Sequence, residues 1–217
     1  MDIEQARYNM VEQQIRPWDV LNQNVLNLLF KVRREDFVPE AHRALAFVDM
    51  EIPLGHGQVM WTPKLEARVV QEVAICPSDR VLEIGTGSGH LTALLAMEAA
   101  EVVSVEIQPE FSAAAAQKLR AHGLNNVVLH TADGARDWPD AAGFDVIVLA
   151  GSTPLLLDAF RSRLHVGGRL FAITGEAPVM QAQLITCTAP GAFRSVTLFE
   201  TCVAPLLNAP QPAAFIF

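Results

Sequence analysis

The stretch Val81-Leu82-Glu83-Ile84-Gly85-Thr86-Gly87-Ser88-Gly89 joins an apolar strand, a glycine-rich turn and the start of a helix. In α/β proteins, adenosine cofactors bind at such turns, where the chain allows a ligand to approach the backbone. The spacing departs from the dinucleotide fingerprint, because the sixth position counted from Gly85 is His90 and the last glycine comes one residue early. The stretch therefore predicts a cofactor site in an α/β fold and weakens the nicotinamide dinucleotide interpretation.

Two acidic residues flank the ends of the first two predicted strands. Glu83 lies two residues before the first glycine. There we expect its charge to repel a pyrophosphate and to attract the amino group and sulfonium of S-adenosylmethionine. Glu106 closes the next apolar strand, about twenty residues beyond the glycines, where an acid accepts hydrogen bonds from ribose hydroxyls. The ribose contact suits either nucleotide cofactor, so the preference for S-adenosylmethionine depends on Glu83.

The composition indicates a globular protein with one main domain. The chain has 217 residues, of which 51% are hydrophobic, and a formal net charge of -8. That charge argues against a nucleic-acid partner, which requires a basic face. The start is acidic and no apolar run reaches membrane-spanning length, so we expect a soluble cytoplasmic protein with no membrane partner.

The cysteines and histidines form no recognisable metal or disulfide framework. Cys76, Cys187 and Cys202 are odd in number and contain no short-spaced pair, so we expect buried free thiols. The histidines lack metal-ligand spacing, and no metal is expected. His56 lies between two glycines, and we expect a structural or solvent-facing imidazole there rather than a general base.

Changes of hydrophobic period divide the chain, residues 1–217, into three parts of one domain. Residues 1–62 are predicted to form N-terminal helices, broken near Pro17, and an irregular loop from residue 37 to 63 that covers a site. Residues 63–175 are predicted to form the cofactor-binding α/β core, and residues 176–217 the C-terminal strands. Strand and helix patterns alternate in the core, which predicts a parallel sheet with helices on both faces.

The individual elements follow from the same patterns. Thr62-Pro63 predicts the start of a helix that runs to about Val73. Core strands are predicted at 80–84, 101–106, 126–131, 144–149 and 167–173, and helices at 88–98, 109–122 and 154–164. The β-rich runs 184–187 and 196–199, separated by Pro190-Gly191, predict an antiparallel pair.

Four motifs occur in an order that resembles the protein-L-isoaspartate O-methyltransferase family. They are Phe37-Val38-Pro39, Ile52-Pro53-Leu54-Gly55-His56-Gly57-Gln58, the glycine turn, and Asp133-Gly134 followed by Trp138-Pro139. The resemblance extends over nearly the whole chain. It implies the Rossmann-like fold of class I S-adenosylmethionine-dependent methyltransferases, with a mostly parallel seven-stranded sheet. It also implies methyl esterification of isoaspartyl carboxylates in damaged proteins, with S-adenosyl-L-homocysteine as product.

The resemblance assigns the candidate cofactor residues. Glu83, Gly85 and Gly87 would lie at the methionine end, Glu106 at the ribose, and Asp133 with Gly134 near the adenine. Neighbouring residues complete the predicted cofactor site: Thr86, Ser88, Gly89, His90 and Ile107.

The sequence departs from the family pattern at the predicted acceptor site. Members usually follow the Gly-Gln pair with Thr-Ile-Ser-Gln-Pro, whereas this chain has Val59-Met60-Trp61-Thr62-Pro63. Trp61 thus replaces the serine whose hydroxyl is placed at the reacting carboxylate; its indole can donate one hydrogen bond and accept none. Thr62 can supply a hydroxyl or can cap the helix that follows. Trp61 and Thr62 are the candidate catalytic residues.

Other functions remain open on the sequence. The altered loop is compatible with a methyltransferase of the same fold that acts on another acceptor, or with a non-catalytic S-adenosylmethionine-binding protein. A nicotinamide dehydrogenase is a more distant alternative. The expected partners are proteins or peptides with isomerised aspartyl residues, and the chain is expected to be a monomer or a homodimer.

Overall fold

The N-terminal region is helical, as predicted, with its break at a proline. The computed structural model describes residues 2–139 and 142–212. Helix α1 (Ile3–Met10) continues into a π-helical turn (Val11–Ile15) and a short 3-10 turn containing Pro17, before helix α2 (Gln23–Lys31) begins. Asp2 and Asn22 cap α1 and α2 by accepting hydrogen bonds from backbone N–H groups in the first turn of each helix.

The segment from residue 37 to 63 contains a β-hairpin, so the prediction of a wholly irregular loop is wrong. Strands β1 (Ile52–Gly55) and β2 (Gln58–Met60) pair antiparallel. Gly55, His56 and Gly57 all have positive φ, which permits the tight turn between them. Strands of three and four residues are too short to produce a periodic pattern, which is why the sequence did not reveal them.

The α/β core follows the hairpin and confirms the predicted architecture. Helix α3 (Pro63–Val73) precedes a seven-stranded sheet with strand order β5-β4-β3-β6-β7-β8-β9. The strands are β3 (Arg80–Ile84), β4 (Glu101–Glu106), β5 (Val127–Thr131), β6 (Phe144–Thr153), β7 (Leu164–Glu176), β8 (Val179–Ala189) and β9 (Ala192–Thr201). The helices between strands are α4 (His90–Ala96), α5 (Pro109–Ala121) and α6 (Asp158–Ser162). Strands β3 to β7 pair parallel, and β8 and β9 are antiparallel.

Some boundaries differ from the predicted ones. Strand β6 extends past residue 149 to Thr153, because Ser152 pairs both with β7 and with the chain segment near Pro205. Helix α6 covers only five residues of the predicted 154–164, and α4 begins at His90 rather than at residue 88. Gly89 is the N-cap of α4 and has a φ of +83°, so the glycine turn ends there and the helix begins at His90.

Two of the three cysteines differ from the expectation of burial. Cys187 is buried within β8, but Cys76 and Cys202 are exposed. Both exposed cysteines lie just beyond the end of a regular element, Cys76 after α3 and Cys202 after β9. No helix among residues 2–139 and 142–212 has the length and apolar character needed to cross a membrane.

Candidate active site

A cleft lies at the carboxyl ends of the parallel strands, beneath the β1–β2 hairpin. It contains about 870 Å³ of empty space, counting its open mouth, and is lined by the glycine turn after β3 and by residues after β4, β5 and β6. Open α/β sheets bind ligands at this edge. The cleft therefore lies where this type of fold binds a nucleoside cofactor.

The glycine turn forms the floor of the cleft, as the sequence predicted. Gly85, Thr86, Gly87 and Ser88 all line it. Gly85 and Gly87 have φ values of +100° and +51°, and the Gly85 N–H donates to the Val105 carbonyl at 2.8 Å. A Cβ at Gly87 would lie 3.3 Å from Leu54 Cδ1 of the hairpin. The hairpin thus packs closely over the turn.

Glu106 is fixed at the end of β4 by two backbone hydrogen bonds. Its Oε2 accepts from the Gly87 N–H at 2.8 Å, and its Oε1 accepts from the Gln108 N–H at 2.9 Å. Each carboxylate oxygen can accept more than one hydrogen bond. Because Glu106 lines the cleft, it retains acceptor capacity for the hydroxyls of a ribose.

The residues predicted near the adenine, Asp133 and Gly134, line the same cleft, and so does Ile107. A Cβ at Gly134 would lie 2.9 Å from Ile84 Cδ1, so a larger residue would displace the wall. Asp133 accepts a hydrogen bond from Asn208 Nδ2 at 2.9 Å through Oδ2. The C-terminal segment is thereby attached to this end of the cleft.

Glu83 does not lie at the mouth of the turn, in contrast to the sequence-based expectation. Its side chain is fully buried behind the turn, where Oε2 accepts from Thr92 Oγ1 at 2.5 Å and Ser104 Oγ at 2.6 Å. Burial raises the pKa of Glu83 to about 8, despite these two hydrogen bonds. A largely protonated, buried acid cannot attract a sulfonium, so the charge argument made for Glu83 does not hold.

The raised pKa of Glu83 predicts a pH-dependent contribution to stability. The folded protein keeps a proton that the unfolded chain releases above its ordinary pKa of 4.5. The contribution is complete below about pH 4.5 and is lost as pH rises toward about 8. We expect Glu83→Gln, which has no proton to lose, to gain in Tm relative to the unchanged protein between pH 5 and pH 8. Parallel Tm profiles for the two proteins in thermal unfolding would contradict the shift.

Trp61 and Thr62 have different positions relative to the cleft. Trp61 lines it and is only 6% exposed, so an indole occupies the place where the resemblance expects a small hydroxyl. Thr62 Oγ1 accepts a hydrogen bond from the Leu65 N–H at 3.4 Å as the N-cap of α3. Thr62 therefore acts as a helix cap, and of the two candidate catalytic residues only Trp61 belongs to the cleft wall.

Gly89 and His90 lie behind the cleft wall rather than in it. A Cβ at Gly89 would lie 3.0 Å from the Cβ of Ala115 in α5, so this glycine permits close packing of helix and turn. His90 is 1% exposed, and its Nδ1 lies 2.7 Å from Glu66 Oε2. Both residues support the turn from below.

The sequence did not identify several parts of the cleft wall. Residues 204–207 line the cleft although no motif marks them. Phe111 of α5 also lines it and packs edge-on against His56, with ring centroids 5.5 Å apart. The structural role expected for His56 is thereby located: the imidazole joins the hairpin tip to α5. Glu66 also lines the cleft. The only sequence feature that could have pointed to it is an acidic residue on the otherwise apolar face of α3.

A family model and curated proteins match nearly the entire chain. The model described as protein-L-isoaspartate(D-aspartate) O-methyltransferase (PCMT) matches residues 5–206. A protein-L-isoaspartate O-methyltransferase 2 from Marinobacter nauticus is 36% identical over 208 residues, covering 95% of each chain. A protein-L-isoaspartate O-methyltransferase from Rhodopseudomonas palustris is 38% identical over 211 residues, covering 94% of this chain and 96% of its own.

A solved structure with the same fold comes from Plasmodium falciparum. It is described as a protein-L-isoaspartate O-methyltransferase in complex with S-adenosyl-L-homocysteine. The TM-score is 0.81 at 17% identity, and the match covers 95% of this chain and 98% of that one. This likeness establishes the fold of class I methyltransferases for the present chain.

Proposed function

The chain belongs to the protein-L-isoaspartate(D-aspartate) O-methyltransferase family, and on this premise we propose that its cleft transfers a methyl group from S-adenosylmethionine to isoaspartyl carboxylates of damaged proteins. The enzyme is an S-adenosylmethionine-dependent O-methyltransferase. One observation supports the assignment to this cleft. Glu106 Oε2 accepts a hydrogen bond from the Gly87 N–H at 2.8 Å, which joins the glycine turn to the acid at the end of β4.

The residues present fit the nucleoside part of the cofactor. The turn offers backbone with no side chain at Gly85 and Gly87, so a ligand can approach closely. Glu106 supplies fixed acceptors for ribose hydroxyls, and Asp133 supplies a carboxylate beside the predicted adenine position. When bound, S-adenosylmethionine supplies an activated methyl group on a sulfonium.

Methyl transfer by in-line displacement requires positioning rather than proton removal. A carboxylate with a reference pKa near 4 is already ionised at neutral pH, so the acceptor needs no general base. The attacking oxygen and the methyl donor must instead be held in line, which makes placement of the walls the main requirement. The proposed mechanism therefore assigns no residue as a general base.

The apolar hairpin side of the cleft suits the charge change of the reaction. A carboxylate and a sulfonium neutralise one another as the methyl moves, and excluding water favours that neutralisation. Met60 and Trp61 are 3% and 6% exposed and present apolar surface to the cleft. We propose that they form the acceptor wall and exclude water from the reacting groups.

The proposed function predicts selective methylation of isoaspartyl peptides. With labelled S-adenosylmethionine, an isoaspartyl peptide should be methylated and its aspartyl twin should not, because the two place the carboxylate at different distances from the backbone. Calorimetric titration with S-adenosylhomocysteine in the same preparation confirms that the donor site is intact. Donor-site binding without transfer to the isoaspartyl peptide would overturn the assignment.

A further inference from the structure

Three buried polar side chains from separate parts of the chain meet beside the cleft. Arg34 comes from the 3-10 turn Arg34–Asp36, Glu66 from α3, and His90 from the first position of α4. Each is at most 3% exposed. Glu66 Oε2 accepts from Arg34 Nη1 and lies 2.7 Å from His90 Nδ1. Glu66 also lines the cleft, so the cluster reaches its wall.

Arg34 connects this cluster to the acceptor wall. Its Nη2 donates to the Trp61 carbonyl at 2.5 Å, and its Nε donates to the Ala46 carbonyl at 3.0 Å. A guanidinium presents its donors in a rigid planar fork, so the position of one partner constrains the others. The position of Glu66 therefore constrains the backbone of Trp61 through Arg34.

His90 connects the same carboxylate to the glycine turn. Glu66 Oε2 can only accept, so the short contact assigns a proton to His90 Nδ1, which donates to it. Arg34 Nη1 is also a donor, so its 3.3 Å distance from His90 Nδ1 is not a hydrogen bond. The His90 backbone N–H donates to Ser88 Oγ at 3.2 Å. Glu66 thus lies between the element that carries Trp61 and the turn predicted to hold the donor.

The electrostatics keep this carboxyl group charged. Burial raises the pKa of Glu66, but the charges and hydrogen bonds of Arg34 and His90 outweigh burial and lower it overall. A buried ion pair adds little net stability compared with apolar residues of similar volume. The fixed geometry that the pair imposes is its main physical consequence.

We propose that Glu66 is a positioning residue for methyl transfer, which fixes the Trp61 backbone relative to the glycine turn through Arg34 and His90. This role rests on the proposed function, in which Trp61 forms the acceptor wall. The glycine turn has its own anchors in Glu106 and the Val105 carbonyl. Loss of Glu66 therefore disturbs placement of the acceptor more than binding of the donor.

The test compares Glu66→Gln and Arg34→Lys with Glu72→Gln as matched control. Glu72 lies on the same helix and pairs with Arg68 at 2.6 Å, but it is outside the cleft wall. For both test variants we expect kcat with an isoaspartyl peptide to fall by about 10- to 100-fold, as misplacement of reacting groups does. The dissociation constant for S-adenosylhomocysteine should change less than about threefold, which corresponds to about 0.7 kcal/mol. Arg34→Lys keeps the ion pair but loses the fork, so it tests the geometry if Glu66→Gln does not fold.

A second readout does not depend on turnover. Replacing Trp18 and Trp138 by phenylalanine leaves Trp61 as the only one of the 3 tryptophans. In that background, acrylamide should quench Trp61 fluorescence more strongly in the Glu66 and Arg34 variants than in the Glu72 control. If the unchanged protein fails to methylate the peptide, the proposed function fails, while the quenching still decides the positioning role. Control-like quenching and kcat in both test variants would overturn the inference.

Discussion

Changing Glu106 to glutamine is expected to raise the dissociation constant for S-adenosylhomocysteine by about 100-fold or more. The two carboxylate oxygens accept from Gly87 and Gln108. A glutamine amide has only one oxygen, and its NH₂ group would face one of these N–H donors. Hydrogen bonds to charged groups contribute about 1.5–3 kcal/mol each, so weakening the bonds that Glu106 accepts from the ribose hydroxyls accounts for a change of this size.

The matched control for this change is Glu101→Gln. Glu101 begins the same strand β4 at its opposite end, where it pairs with Arg80 at 2.6 Å and lies outside the cleft wall. Calorimetric titration should show nearly unchanged binding for the Glu101 variant. A Glu106 variant that binds within about threefold of the unchanged protein would show that the carboxylate does not hold the donor.

The sequence predicted the sheet because its core strands are apolar and its turns carry glycine. Strands β3 and β4 have their apolar residues buried on both faces, as parallel strands require. The turn at Gly85 and Gly87 and the acid at Glu106 are local features with fixed spacing, and the structure places them together in the cleft. Motifs of this kind are readable because the residues that meet are close in the chain.

The position of Glu83 could not be read in the same way. A strand buried on both faces gives no indication of which face a polar residue occupies. Its partners Thr92 and Ser104 lie 9 and 21 residues further along the chain. Only the packed structure shows that these hydroxyls contact the acid and that it lies outside the cleft wall.

Long-range contacts explain the other parts of the site that the sequence missed. Arg34 and Glu66 are 32 residues apart, and neither belongs to a motif used in the prediction. The C-terminal segment reaches the cleft by pairing with Ser152, whose N–H donates to the Ala204 carbonyl at 3.0 Å. A pairing of this kind depends on the tertiary arrangement and leaves no periodic signal.

Gly151→Ala is expected to lower turnover of an isoaspartyl peptide on the order of 100-fold, the cost of a displacement of about 1 Å near the reacting groups. A Cβ at Gly151 would lie 2.9 Å from Leu206 Cδ2 and 3.1 Å from the Leu206 backbone nitrogen. The side chain can move, but the nitrogen donates to the Ser152 carbonyl at 2.9 Å. Moving it breaks the pairing that holds residues 204–207 in the cleft wall.

Gly168→Ala separates this effect from general destabilisation. A Cβ at Gly168 would lie 2.9 Å from the His165 carbonyl oxygen, a comparable clash, but Gly168 lies outside the cleft wall. We expect both variants to have a lower Tm and only Gly151→Ala to lose kcat per folded molecule. Adding Leu206→Ala to Gly151→Ala relieves the side-chain clash but not the backbone one, so it should restore turnover only partly. Equal loss of kcat in the two glycine variants would show that the C-terminal segment is not part of the working site.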